Sequence, residues 1–141
     1  MYLINKIKGL TVGRFLSLYL FIREVAGLFS LRLGGHPQFI RPLIEPMAQA
    51  SAIANYEDTD EETQERIKAQ ASVMENMGNF YAQNTFVGAS GTLLIAGTLE
   101  SLGYSAPAAK IAIASLVIAG ISLLMGIVYN IWFDRQLSKK Y

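Results

Sequence analysis

A chain of 141 residues that is 52% hydrophobic and only 16% charged falls well below the roughly 25% charge of an ordinary soluble domain, and its net charge of +1 leaves no basic footprint for nucleic acid. The absence of cysteine and the single histidine exclude disulfides, thiol catalysis and thiolate metal centres, and make a transition-metal site improbable. There is no nucleophile–base set, phosphate loop or nucleotide motif, which argues against an enzyme and against a primary pump.

Residues 10–33 (LTVGRFLSLYLFIREVAGLFSLRL) read as a helix long enough to cross a bilayer. Lys6, Lys8 and Arg14 precede its apolar run in the manner of a signal peptide. Arg23 and Glu24 interrupt that run, however, and no small-x-small cleavage site follows. Adjacent residues do not face each other on a helix, so Arg23 and Glu24 each need a separate partner. Ionisable groups at membrane depth mark function by default; the alternative is an interfacial position.

Residues 34–56 begin in the unusual stretch RLGGHPQFIRPLIEP (Arg32 to Pro46). Gly34 and Gly35 permit a sharp break, and Pro37 and Pro42 oppose regular helix. Irregular backbone at membrane depth is tolerated only when it is buried in protein or lines a wet cavity. The stretch is therefore expected to be a broken, re-entrant segment. Arg41 suits bidentate capture of a carboxylate, or an ion pair with Glu45 four residues on. His36 and Gln38 offer hydrogen-bond donors, although a histidine here also suits a turn's backbone.

Residues 57–76 are expected to form an acidic loop and an amphipathic surface helix. Six of the eleven acids lie between Glu57 and Glu65. Thr59 and Glu62 have capping-box spacing, and Ile67, Ala71, Met74 and Gly78 recur at helical spacing. Residues 77–99 carry no charge yet are polar: Asn79, Gln83, Asn84, Thr85, Ser90 and Thr92 surround Gly88 and Gly91. Such groups bind an ion or substrate, or hydrogen-bond between helices.

Residues 111–133 (IAIASLVIAGISLLMGIVYNIWF) are 23 uncharged positions, more than the roughly 20 that span a bilayer. Tyr129, Trp132 and Phe133 stand where an aromatic belt belongs. Arg135, Lys139 and Lys140 follow, so the C-terminus is expected to be cytoplasmic. Ser115, Ala119, Ser122 and Gly126 share one face, as do Gly88, Thr92 and Ala96, and such small-residue stripes let membrane helices pack closely. Three simple spans would set the basic N-terminal flank and the basic tail on opposite sides. Both can lie inside only if the number of traverses is even: either residues 10–33 do not fully cross, or residues 34–56 supply a traverse, or the basic N-terminal flank is not a cytoplasmic flank. The fold class expected is all-α: a polytopic membrane protein with about three transmembrane helices, a broken re-entrant segment and one amphipathic surface helix.

The segments LRLGGHPQFIRPLIEPMA and NMGNFYAQNTFVGASGTLLIAGTLESLGY resemble the membrane family known as domain of unknown function 969. The likeness extends from INKIKGLTVGRFLSLYLFIRE to the basic tail. The resemblance implies one subunit of a 5-oxoproline (pyroglutamate) transporter in the inner (cytoplasmic) membrane of a bacterium, paired with a second membrane subunit. It also implies that the chain corresponds to the C-terminal portion of the family, whose members usually begin with further hydrophobic segments. The family is similar to half of an ion-transporter superfamily built from inverted repeats and broken helices, a likeness of fold only.

In such transporters the sites lie near the midplane, at discontinuous helices. 5-Oxoproline carries one carboxylate and one lactam amide. The expected substrate-binding residues are His36, Gln38, Arg41, Asn84, Thr85, Ser90 and Gly91, with Na+ or H+ as coupling ion, no metal centre, no catalytic residue and no other cofactor. The rival readings are a structural or regulatory membrane subunit without its own substrate site, and an intramembrane enzyme. The enzyme would need paired carboxylates or several histidines at depth.

Overall fold

Among the residues described by this computed structural model (9–31, 34 and 36–141), every regular element is helical. Lys6, Lys8 and Gly35, singled out above, lie outside the described residues. The order is α1 (Val12–Leu28), a π-helix (His36–Ile44) that runs directly into α2 (Glu45–Tyr56), α3 (Glu61–Gln83), α4 (Ser90–Ser101) and α5 (Ala108–Lys140).

The start of α1 is fixed from both ends of the sequence. Thr11 caps it locally, accepting the Arg14 N–H at 3.3 Å. Asp134, near the end of α5, accepts the Gly13 N–H at 2.7 Å and the Thr11 hydroxyl. A carboxylate there meets both the unpaired donors and the positive end of the helix dipole. Position 13 has room only for glycine, because a Cβ would run into the Asn130 carbonyl and the Asp134 carboxylate.

Paired contacts give the directions. Tyr19 and Arg23 of α1 meet Glu75 and Asn79 of α3, and Gly27 packs on Ala82, so α1 and α3 run parallel. Ser17 meets Asn130, and Leu20 packs on Gly126, so α5 runs antiparallel to α1. His36 lies beside Asn76, whereas Tyr56 reaches Ser138 and Tyr141, so the π-helix and α2 descend as α1 and α3 ascend. The four traverses therefore alternate. Arg14 and the basic tail end up at the same end of the bundle.

The descending element covers most of the stretch expected to be broken and re-entrant. From His36 to Tyr56 it is helical without a gap, with nine residues in π-geometry and twelve in α2, while Gly34, at the expected break, lies outside the helices. A proline ring clashes with the carbonyl four residues back, and a π-turn moves the hydrogen-bond register to five. That accommodates Pro42 inside the element. Pro46 falls in the first turn of α2, where its missing N–H costs nothing. Pro37, Pro42 and Pro46 are all exposed, while Ile40, Ile44, Ala48 and Ala52, spaced by four, form one buried stripe.

Three other details differ from the sequence reading. The α3 cap is Asp60, which accepts the Thr63 N–H at 3.0 Å, in place of Thr59. The stripe Ile67, Ala71, Met74 and Gly78 is buried, but α3 is the central helix, packed on α1, α5, α2 and the π-helix. The uncharged run 77–99 is divided between the end of α3 and α4. Asn84 donates to the Phe80 carbonyl at 2.8 Å and Thr85 to the Ala82 carbonyl at 2.6 Å. Side chains that satisfy the last carbonyls in this way end a helix.

Among the described residues α5 is the one helix long and apolar enough to cross a membrane. It covers only a narrow seam: Ala112, Ala119, Ser122, Gly126, Asn130, Phe133 and Leu137 are buried. Ile113, Val117, Leu124, Met125 and Val128 are each about two-thirds exposed. A helix that is apolar all round and covered on one seam has the character of a membrane span.

At the lower end the tail clasps α3. Asp60 accepts from Lys140 at 2.7 Å and from the Tyr141 hydroxyl at 2.9 Å. The bond from Lys140, then those from Thr63, hold the Asp60 carboxyl well below its ordinary 3.8. A carboxyl depressed in the folded state favours folding above its ordinary value, and that contribution fades as pH falls below it. Hydrogen exchange in the first turn of α3 and in the tail is therefore expected to stay constant from neutral pH down to about 4, then to quicken. Lys140→Ala should remove most of that step.

Candidate functional site

α1, the end of α3 and the start of α4 enclose a cavity of about 680 Å³, lined among others by Arg23, Glu75, Asn79, Gln83 and Ser90. Its charged wall is built by parallel packing. Arg23 is 5% exposed and Glu75 2%. Arg23 Nε lies 2.9 Å from Glu75 Oε2, and Nη2 lies 3.2 Å from Oε1. The same Nη2 donates to Asn79 Oδ1 at 2.7 Å, and the Tyr19 hydroxyl donates to Glu75. Two buried charges are tolerated at this depth because the fork is bidentate and additional hydrogen bonds surround it. Gly78 makes it possible, since a Cβ there would stand 2.8 Å from Arg23 Cγ.

Opposite this pair lies the start of α4. Its cap residue, Ala89, offers no side-chain acceptor, so the first N–H groups and the positive end of the dipole are left to an anion or to solvent. Thr92 ties this end down by donating to the Asn84 carbonyl at 3.2 Å. Arg23 Nη1 makes no hydrogen bond among the described residues, so the cavity wall retains donors beyond those spent on Glu75. Chemically, the cavity offers a guanidinium bridged to the Glu75 carboxylate, amide side chains, a hydroxyl and a helix N-terminus.

Of the seven expected substrate-binding residues, Ser90 lines this cavity, beside Asn79, Gln83 and Gly88 of the same polar run. Asn84 and Thr85 use their side chains on the end of α3. Gly91 packs beside Asn84: a Cβ would meet Oδ1 at 3.2 Å. His36 Nε2 is 3.0 Å from Asn76 Oδ1. Gln38 and Arg41 are exposed on the π-helix, and no ion pair joins Arg41 to Glu45 among the described residues. No residue of the π-helix lines the cavity. The two polar clusters of the sequence are thus not brought together.

Glu75 is the residue that sequence reasoning passed over. It is the sole acid between Glu65 and Glu100, and Arg23 lacked a partner. That was the available signal, but nothing local fixes a pairing across 52 positions. A second polar cluster lies lower in the bundle. Asn130, fully buried on the apolar α5, accepts from Gln70 at 2.8 Å and donates to Ser17 Oγ at 3.1 Å.

The family described as Protein of unknown function (DUF969) matches residues 1–138. No curated protein and no solved structure matches the chain. With nearly its whole length matched, the chain belongs to the DUF969 family of proteins of unknown function.

Proposed function

We propose that this chain is a polytopic subunit of a two-component secondary transporter for a small carboxylate, with 5-oxoproline as the substrate and Na+ or H+ as the coupling ion. It would sit in the inner (cytoplasmic) membrane with its C-terminus in the cytoplasm, beside a second membrane subunit, and would make or break no bond. The observation that carries this reading is the cavity where α3 gives way to α4, with Arg23, Asn79 and Ser90 on its wall. Broken helices whose N-termini face anionic groups are how secondary transporters hold carboxylates. The antiparallel traverses support a polytopic arrangement with both basic flanks on the cytoplasmic side.

A structural or regulatory subunit is the second reading. It is favoured by the internal pairing of Arg23 with Glu75, which satisfies the cavity's main charge without a ligand. Uptake of labelled 5-oxoproline by cells lacking their own carrier separates the two. The chain expressed with its partner subunit is expected to take up the label, Asn79→Leu to lose most of that uptake, and Arg41→Ala to keep it. Loss in Arg41→Ala alone would move the substrate to the π-helix. No uptake by any pair would remove the 5-oxoproline assignment.

A further inference from the structure

Arg23 is consumed by Glu75 and Asn79, which leaves its neighbour Glu24 alone. Glu24 is 6% exposed and its Oε1 is buried with no hydrogen-bond partner; Ser122 Oγ shares that condition. No other side-chain oxygen or nitrogen atom that is itself fully buried is left unpaired among the described residues. The two orphans are related by the packing of α1 against α5. Ser17 meets Asn130 and Leu20 packs on Gly126, so one further turn along these antiparallel helices brings position 24 level with position 122. An unpaired carboxylate and an unpaired hydroxyl thus come to the same depth of the same seam.

What such a pair binds follows from what surrounds it. Between Lys110 and Asp134, α5 carries no ionisable side chain except Tyr129, which is 44% exposed. Between Lys68 and Glu100, α3 and α4 carry Glu75, already tied to Arg23 and Tyr19, and Tyr81. On α1 itself the ionisable groups are Arg14 at the far end, Tyr19 and Arg23. α2, which also packs on α1, carries Glu45 and Tyr56 and no cation, so among the described residues no free cation lies on the helix stretches that flank Glu24. Nor are backbone carbonyls released there, because α1 and α5 are unbroken helix at positions 24 and 122. Hard metal cations gather six or more oxygens, and this seam offers a carboxylate and one hydroxyl. Those two groups suffice for a proton. An isolated buried carboxylate is strongly disfavoured and becomes neutral by binding one.

We propose that Glu24, level with Ser122 in the α1–α5 seam, is the proton site of this protein. The neutral acid is the form that the closed bundle holds, and release of its proton requires the seam to open or hydrate. This deepens the transport reading, because it selects H+ over Na+ as the coupling ion, but the site can be tested without it. Infrared difference spectra of the full chain in lipid nanodiscs, recorded across a pH step, are expected to show a protonated-carboxyl band. That band should be absent in Glu24→Gln and shifted in Ser122→Ala. Gln mimics the neutral acid in shape, so Glu24→Gln should unfold at the wild-type temperature or above. A band unchanged by Glu24→Gln overturns the proposal, as does a Glu24→Gln protein that unfolds well below wild type, because the buried group would then be charged and paired.

A second arm tests coupling. In vesicles holding the chain with its partner subunit, Glu24→Gln should abolish stimulation of 5-oxoproline uptake by an inward proton gradient. Retained stimulation overturns the coupling role. A Glu24-dependent band without any uptake leaves the proton site standing and removes the transport reading instead.

Discussion

Replacing Glu75 by alanine is expected to destabilise the folded chain by about 3–5 kcal/mol, the usual consequence of stranding one member of a buried ion pair. Arg23 would keep its guanidinium in a site 5% exposed, with Asn79 as its one remaining partner, and the Tyr19 hydroxyl would lose its acceptor. The loss is far greater than at a solvent-exposed pair such as Lys68–Glu65, whose charges stay in water and are screened. Unfolding temperature in lipid nanodiscs reads it directly. The informative control is Arg23→Met with Glu75→Leu together. Exchanging both charges for apolar groups of similar volume is often neutral or stabilising, so the double variant should recover most of the loss. A Glu75→Ala protein within about 1 kcal/mol of wild type would mean that water reaches the pair through the cavity. Uptake adds a functional reading, since the double variant should fold well and yet bind no carboxylate.

The second large effect is expected at Asn130. Asn130→Ala leaves the Gln70 amide buried without its acceptor and removes the donor to Ser17. An orphaned buried polar group costs about 1–3 kcal/mol. A small void where the Asn130 amide stood adds to that. Pairing Asn130→Leu with Gln70→Leu removes both halves of the bond and should restore most of the stability. Failure of the double variant to recover would place the value of Asn130 in its packing on Met74, whose sulfur the side-chain amide also meets.

The periodicity of the chain made much of the architecture legible. Helices within 10–33, within 57–76 and across 111–133 follow from apolar spacing, and the buried stripe of α3 is the one that Ile67, Ala71, Met74 and Gly78 spell out. The two basic flanks left an additional excursion near residues 34–56 as one way to bring both ends to one side, and the π-helix with α2 runs antiparallel to α1 there. What the sequence concealed was the helical character of that element. Three prolines normally announce a break. Here they all fall on the exposed face, one of them in a π-turn and another in a first turn. The candidate site was legible only in part. Arg23 announced that it needed a partner, but the partner lies 52 residues away, and only tertiary packing decides which of the polar residues 79–92 face the cavity. Arg41 drew attention by its neighbours in sequence, and the fold leaves it exposed away from the cavity.

The clamp at the start of α1 bears on assembly. Asp134 closes a loop of 121 residues onto Gly13, so during synthesis α1 exists with its first turn unfastened until most of the chain described here has been made. The entropy of closing so long a loop has to be met by contacts made beforehand, and the α1–α3 pairing through Arg23 and Glu75 closes a loop of only 52 residues. On this view the bundle is drawn together at its middle first. Asp134 then acts as a latch, testing whether α5 has arrived in register before the basic end is sealed.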